Sequence, residues 1–179
     1  MKSKNISVLG GGSWGTVLAN LASHNQHNVI LWMRDSAVIE EVNKFKRNSK
    51  YLPELELEGN INATNDISSI NNSEMIIFCV PSNSFREVAK QASEYIKKSA
   101  QLVSATKGVE KDKFNLMSQI LREYMSENPI GILSGPNLAE EIAIKQLSGT
   151  VIASKDKVLQ KNVIEIFGSN FFRVYENDD

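Results

Sequence analysis

Three glycines in a row close a short β-branched run: Ile6-Ser-Val-Leu9 is followed at once by Gly10-Gly-Gly-Ser-Trp-Gly15. A short run of Ile6, Val8 and Leu9 around Ser7, ending at glycine, reads as a buried strand over 6–9 rather than a helical turn. Beyond the glycines, Val17, Leu18 and Leu21 recur at helical spacing with the small Ala19 and Ala22 between them, so a helix over 14–23 opens near Ser13. Gly10, Gly12 and Gly15 fall in the order G-x-G-x-x-G. In that order the first glycine makes a tight turn, the second admits a diphosphate close to the backbone, and the third lets the helix pack on the strand. The N–H groups at the helix start then hold the phosphates. The pattern alone is common, and its place between strand and helix gives it weight. A plain strand–helix turn, or a loop for another nucleotide-like ligand, is the competing reading. A phosphate loop of the Gly-Lys-Ser/Thr kind is excluded, because no such triplet follows at the required spacing.

The rest of the chain alternates short apolar runs with longer amphipathic ones. Strands are expected over 28–33, 61–64, 74–80 (ended by Pro81), 101–105, 130–133, 150–154 and 171–175. Helices are expected over 36–46, 83–98, 113–125, 138–145 and 157–167. Residues 47–59, with Pro53 and the acidic Glu54, Glu56 and Glu58, are expected to form an irregular, solvated loop. Strands separated by helices of this length imply parallel pairing with right-handed crossovers. The expected class is α/β, a doubly wound, mostly parallel Rossmann-type sheet with helices on both faces. Residues 1–179 read as one dinucleotide-binding domain.

Hydrophobic residues make up 41% of the chain and charged residues 23%, ordinary values for a globular protein. A formal net charge of -1 argues against a nucleic-acid partner, which would want a basic face. A single cysteine rules out an intrachain disulfide and fits a reducing compartment. Cys79 lies inside an apolar strand and reads as packing. His24 and His27 have no partner cysteine, so no metal site is expected. The polar N-terminus and brief first apolar run give no signal peptide, and no stretch approaches the roughly 20 apolar residues that span a bilayer. A cytoplasmic protein without membrane insertion is expected.

Several further loops follow strands and so fall at the carboxyl edge, where ligands bind in such sheets. The second strand runs into Trp32-Met33-Arg34-Asp35. At that place an acidic residue accepts the ribose hydroxyls, whereas an arginine accommodates a 2′-phosphate. Arg34 comes first, so NADP(H) is expected to be preferred and NAD(H) accepted, unless Arg34 and Asp35 merely open the next helix. Thr106-Lys107-Gly108 can present an ammonium to a phosphate or a developing alkoxide, or can be a surface turn. In Ser134-Gly135-Pro136-Asn137, Asn137 is expected to N-cap a helix with Glu140 completing a capping box, while Gly135 exposes N–H groups to the same edge. Pro81-Ser82-Asn83 either contacts cofactor phosphate or ribose, or caps the following helix. With no histidine beside a suitable serine or cysteine, hydrolase chemistry has no support.

Taken together, Val8-Leu-Gly-Gly-Gly-Ser-Trp-Gly-Thr16, Val80-Pro-Ser82, Ala105-Thr-Lys-Gly108, Leu133-Ser-Gly-Pro136 with Ala139-Glu-Glu141, and Phe172-Arg-Val-Tyr175 resemble the bacterial-type NAD(P)-dependent glycerol-3-phosphate dehydrogenase family over essentially the whole chain. The resemblance implies interconversion of dihydroxyacetone phosphate and sn-glycerol 3-phosphate by hydride transfer, supplying the phospholipid backbone. It adds Ser13, Trp14, Arg34, Lys107 and Ala139 to Gly10, Gly12, Gly15 and Pro81 as cofactor contacts. It makes Lys107 catalytic and, with Gly135 and Asn137, substrate-binding. The sequence departs at Asn137-Leu138, where that family usually has serine or threonine followed by phenylalanine.

The family's chain continues into a helical substrate domain with a second essential lysine, expected beyond Asp179. The expectation is therefore a cofactor domain that binds dinucleotide but is nearly inactive alone, with an apolar surface open to homodimer formation. Another two-domain dehydrogenase is the first alternative, against which Thr106-Lys107-Gly108 argues. A non-catalytic dinucleotide sensor is the second. An S-adenosylmethionine-dependent methyltransferase ranks last, because Lys107 and the Ser-Gly-Pro loop would have no role there.

Overall fold

The chain is described here by a computed structural model that covers residues 2–111 and 113–178. Its first half follows the order β1 (Asn5–Leu9), α1 (Ser13–His24), β2 (Asn28–Trp32), α2 (Ser36–Phe45), β3 (Arg47–Asn48), β4 (Leu52–Glu56) and β5 (Ile61–Thr64). A 3-10 turn (Ile67–Asn72) leads to β6 (Met75–Phe78), α3 (Ser82–Ser93), β7 (Gln101–Ser104), α4 (Met117–Tyr124), β8 (Ile130–Ser134), α5 (Ala139–Ala143), β9 (Ser148–Ala153), α6 (Lys157–Phe167) and β10 (Phe172–Asn177).

Side chains on the central strands alternate between two cores. Ile6, Val8, Met75 and Ile77 face a core roofed by α1, α2, α5 and α6. Leu9, Ile76 and Phe78 face another, under α3, α4 and the 3-10 turn. Strands covered on both faces read as continuous apolar runs, which is why period two is hidden in their sequence.

Eight of these strands form one sheet in the order β10-β9-β8-β7-β6-β1-β2-β5, a doubly wound, mostly parallel arrangement. From β1 the chain winds outward through β2 to β5, then returns to pair β6 on the other side of β1. The reversal leaves a crevice beyond the carboxyl ends of β1 and β6.

Four features differ from the sequence reading. β9 pairs antiparallel with β8, because the link through α5 stays at the carboxyl edge and the chain re-enters the sheet from the end it left. Residues 47–56 form an antiparallel hairpin, β3–β4, rather than an irregular loop. Its Leu52, with Leu57 just beyond, is buried in the first core, and that burial offsets the exposure of the glutamates beside them. α3 stops at Ser93, whose hydroxyl bonds back to the Lys90 carbonyl at 2.7 Å in competition with the helical ladder. α4 starts at Met117 rather than 113, since Phe114 is left-handed at φ 56° and Gln119 Oε1 accepts from the Leu116 N–H at 2.7 Å.

On the second face one arginine ties three segments together. Arg86 of α3 binds Glu110, in the loop after β7, through Nε and through Nη2 at 3.0 Å. It also binds Glu123 of α4 through Nη1, with Nη2 at 3.2 Å from the second carboxylate oxygen. Hydrogen bonding from the Arg86 guanidinium, helped by Asn115, lowers the Glu110 carboxyl from 4.5 to about 2. A carboxyl depressed in the folded state stabilises the fold above its unfolded value, and that contribution disappears as pH falls toward its folded value. Glu110→Gln is therefore expected to melt below the wild type by a constant margin above about pH 5, and the margin should close between 4.5 and about 2. Melting curves across that range check the sign.

Candidate functional site

Gly10 ends β1 with φ 125°, and a Cβ there would lie 2.8 Å from the Cys79 carbonyl at the end of β6. A Cβ on Gly15 would lie 1.8 Å from the Gly10 carbonyl oxygen, so α1 sits directly on the turn. Gly12 is different. Its φ of -75° suits any residue, and a Cβ there would meet nothing within 4 Å. Gly12 is the N-cap of α1, without a side-chain cap and without an acidic residue in the first turn. The helices α2 and α6 are capped by Asp35 and Asp156 instead. An uncapped first turn offers backbone N–H groups and a partial positive charge to an outside acceptor. Free space in front of Gly12 at such a helix end is what a diphosphate requires.

The crevice has a volume of about 660 Å³, in the range of small-ligand and cofactor sites. Its walls come from six separate stretches of sequence. Gly10, Gly12, Ser13, Trp14, Gly15, Arg34, Pro81, Lys107 and Ala139 all line it, as does Asn137. Gly135 does not. It packs under β9, where a Cβ would be 3.1 Å from the Gly149 carbonyl oxygen.

The hairpin β3–β4 supplies a wall that the sequence did not announce. Asn48 is fully buried, and its Nδ2 donates to the Gly11 carbonyl at 3.1 Å and to Thr16 Oγ1 at 2.8 Å. Ser13 Oγ donates to the Tyr51 carbonyl at 3.2 Å. The turn of the hairpin is thereby clasped to the glycine loop and brings Lys50 and Tyr51 to the crevice. The alternation of Leu55 and Leu57 with Glu54, Glu56 and Glu58 was the one strand-like sign here, whereas nothing in the sequence marked Tyr51.

Asp35 is committed elsewhere. It accepts from the Ala37 and Val38 N–H groups at 3.1 and 3.4 Å and pairs with Lys50 at 2.7 Å. Hydrogen bonds from Lys50 and then from the Val38 N–H hold its carboxyl below the usual range. Arg34 beside it is exposed and, among the described residues, makes no ion pair. Trp14 is half-buried and packs edge-on against Phe172 of β10, with ring centroids 6.3 Å apart. Cys79 lines the floor, and burial pushes its thiol pKa up, away from a nucleophile.

Across the crevice stands the loop after β7. Thr106 Oγ1 donates to the Val80 and Phe78 carbonyls at 2.7 and 3.2 Å, and Lys107 Nζ donates to the Asn137 carbonyl at 3.3 Å. Asn137 is buried, and its Nδ2 bonds the Gly149 carbonyl at 2.7 Å. It is therefore not the N-cap of α5. That position falls to Leu138, without a side-chain hydrogen bond, because the Asn137 amide is drawn into the contact with β9. Among the described residues no group of three or more His, Cys, Asp or Glu is placed to hold a metal ion, and no helix is long and apolar enough to cross a membrane.

Residues 5–160 match the family model described as NAD-dependent glycerol-3-phosphate dehydrogenase N-terminus. A glycerol-3-phosphate dehydrogenase [NAD(P)+] of Saccharophagus degradans is 46% identical over 181 residues, covering 100% of this chain and 51% of that protein. One from Acinetobacter baylyi is 45% identical over 175 residues, covering 97% of this chain and 49% of the relative. The crystal structure of glycerol-3-phosphate dehydrogenase from Coxiella burnetii superposes with a TM-score of 0.93 at 30% identity, covering 99% of this chain and 55% of that one. The chain thus spans about half the length of the curated relatives it matches.

Gly12 and Gly15 should respond very differently to the same substitution. Helix propensity alone would make Gly15→Ala stabilising by about 0.5–1 kcal/mol. The backbone clash outweighs that, and a loss of about 3 kcal/mol or more is expected, lowering the thermal midpoint by roughly 6–12 °C. Gly12→Ala should leave the midpoint within about 2 °C. Thermal melts of the two variants side by side test the assignment.

Proposed function

The chain belongs to the NAD-dependent glycerol-3-phosphate dehydrogenase family, and on that premise we propose that residues 1–179 are the dinucleotide-binding domain of an NAD(P)-dependent glycerol-3-phosphate dehydrogenase. The reaction is the interconversion of dihydroxyacetone phosphate and sn-glycerol 3-phosphate, in the cytoplasm, feeding glycerophospholipid synthesis. The observation that carries this reading is the uncapped start of α1, with open space before Gly12, facing Lys107 across one crevice.

In this reading Gly10, Gly12 and Gly15 shape the cradle, and the N–H groups of the α1 first turn, with Ser13, hold the diphosphate. Trp14, Pro81 and Ala139 form the walls along the dinucleotide. When bound, the nicotinamide supplies or accepts the hydride. Lys107 presents its ammonium to the substrate phosphate or to the carbonyl oxygen as negative charge develops on it. Asn137 offers the neighbouring edge to the substrate, and Gly135, packed under β9, would act only through the backbone turn that sets Asn137 there. One Asn137 N–H serves β9, so the other and Oδ1 are what remain for that contact. Reduction also requires a proton donor and exclusion of water. The second half of the relatives' length is the source we assign to both.

NADP(H) is the preferred cofactor in this reading, with NAD(H) accepted. Asp35, which would otherwise accept ribose hydroxyls, is engaged by Lys50 and by the start of α2. Arg34 is then the group that meets a 2′-phosphate, with the Lys50 ammonium close by. Leu138, Ile144 and Leu147 are exposed on and around α5, and this apolar surface is available to the rest of the enzyme or to a second copy in a homodimer.

A fluorescence titration of the chain should give saturable binding of NADPH, tighter than that of NADH. Arg34→Ala should weaken NADPH by about tenfold, the scale of one charge-assisted contact, and leave NADH nearly unchanged. Absence of binding by either nucleotide at millimolar concentration would overturn the cradle. Binding without turnover, in a polypeptide that also carries the region matching the relatives' second half, would favour a sensor over an enzyme.

A further inference from the structure

The segment that carries Lys107 is long for a compact domain: residues 105–116, between β7 and α4, form no helix or strand among the described residues. It is fastened to α3 in two successive steps. Gly108 lies against Ser82, where a Cβ would be 3.5 Å from the Ser82 Oγ. Two residues further on, Glu110 is held by Arg86, one helical turn beyond Ser82. The loop then closes on Glu110, whose N–H donates to the Asn115 carbonyl at 2.9 Å while its carboxylate takes the Asn115 amide at 2.8 Å. Neither Arg86 nor Glu110 lines the crevice.

The arginine serves more than one carboxylate. Besides Glu110 it binds Glu123, and Nη1 lies 3.4 Å from the Tyr124 hydroxyl. Side-chain exposure is 25% for Arg86 and 12% for Glu110, so both charges have left much of their water. Removing one partner of such a pair strands the other's charge and is destabilising, and beyond that a planar fork shared between two carboxylates fixes direction closely. Pro81 and Ser82, one turn earlier at the start of the same helix, sit at the crevice wall and beside Gly108 respectively. Arg86 therefore links the wall after β6 to the loop after β7.

We propose that the Arg86–Glu110 clamp is a positioning device for Lys107, setting where the Thr106-Lys107-Gly108 segment stands over the crevice without touching substrate or cofactor. This inference rests on the role given to Lys107 above. Thr106 anchors the segment upstream and Glu110 anchors it downstream, so loss of the clamp lets the ammonium sample more of the rim. Displacement of an electrostatic group by about 1 Å is enough to cost up to a hundredfold in rate.

Glu110→Gln keeps the shape, and Arg86→Lys keeps the charge but loses the fork. Both are examined in the polypeptide that includes the region matching the relatives' second half, alone and combined with Lys107→Met. Amide hydrogen exchange across residues 106–110 is expected to speed up at least tenfold in both clamp variants. NADPH affinity should stay within about twofold, while kcat for dihydroxyacetone phosphate falls on the order of tenfold to a hundredfold. In the Lys107→Met background Glu110→Gln should cost nothing more, because its effect passes through the lysine. An equal kcat penalty in both backgrounds, or unchanged exchange in the loop, overturns the clamp while leaving Lys107 in place. If Lys107→Met itself leaves kcat intact, the role of Lys107 falls and the clamp falls with it.

Discussion

The approach of Gly15 to the Gly10 carbonyl is the contact on which the site depends. Any side chain at position 15 would occupy the space of that oxygen, so only glycine lets α1 rest on the turn that ends β1. With the helix seated there, its positive end is carried to the place where the sheet reverses its winding. The other walls are arranged relative to that end. Asn48 fastens the hairpin to Gly11, Thr106 fastens the opposite loop to β6, and Asn137 fastens the α5 approach to β9.

Those fastenings share a chemical logic. Each uses a side-chain donor on a backbone carbonyl, so the loop is fixed by its main chain and its neighbours stay free for a ligand. The arrangement has a local cost. Among the described residues Asn48 Oδ1 is buried without a hydrogen-bond partner, and an unsatisfied buried acceptor costs about 1–3 kcal/mol. The amide is nevertheless held there, because its other end spans Gly11 and Thr16 at once. Asp35 illustrates the reverse case. It is a residue type expected to face the nucleotide, drawn instead into capping α2 and pairing with Lys50.

Much of this was legible before the structure. The glycine spacing located the turn, and the alternation of apolar runs with amphipathic ones located a doubly wound sheet. Other features were not, for identifiable reasons. The period of a strand says nothing about its direction, so the reversal at β9 was invisible, being decided by where α5 packs. The glutamates around Leu52 and Leu57 resembled a solvated loop, and the two buried leucines fall on opposite parities, so no strand period pointed to their burial. Asn137 has the chemistry of a helix cap, but a carbonyl brought close by the fold claimed it. Nothing in the sequence singles out Arg86, since its two carboxylates come from residues 110 and 123.

The crevice is built from stretches near residues 10–15, 32–35, 50–51, 79–81, 105–107 and 137–140. No two of its walls are neighbours in sequence, so the site has no local precursor during folding. Every chain crossover from β1 to α5 has to close, each against its own loop entropy, before a phosphate finds its donors. Binding competence is consequently a property of the finished sheet. The dinucleotide, meeting only the completed form, stabilises all six stretches together and raises the free energy of opening any one of them by the same mass-action increment.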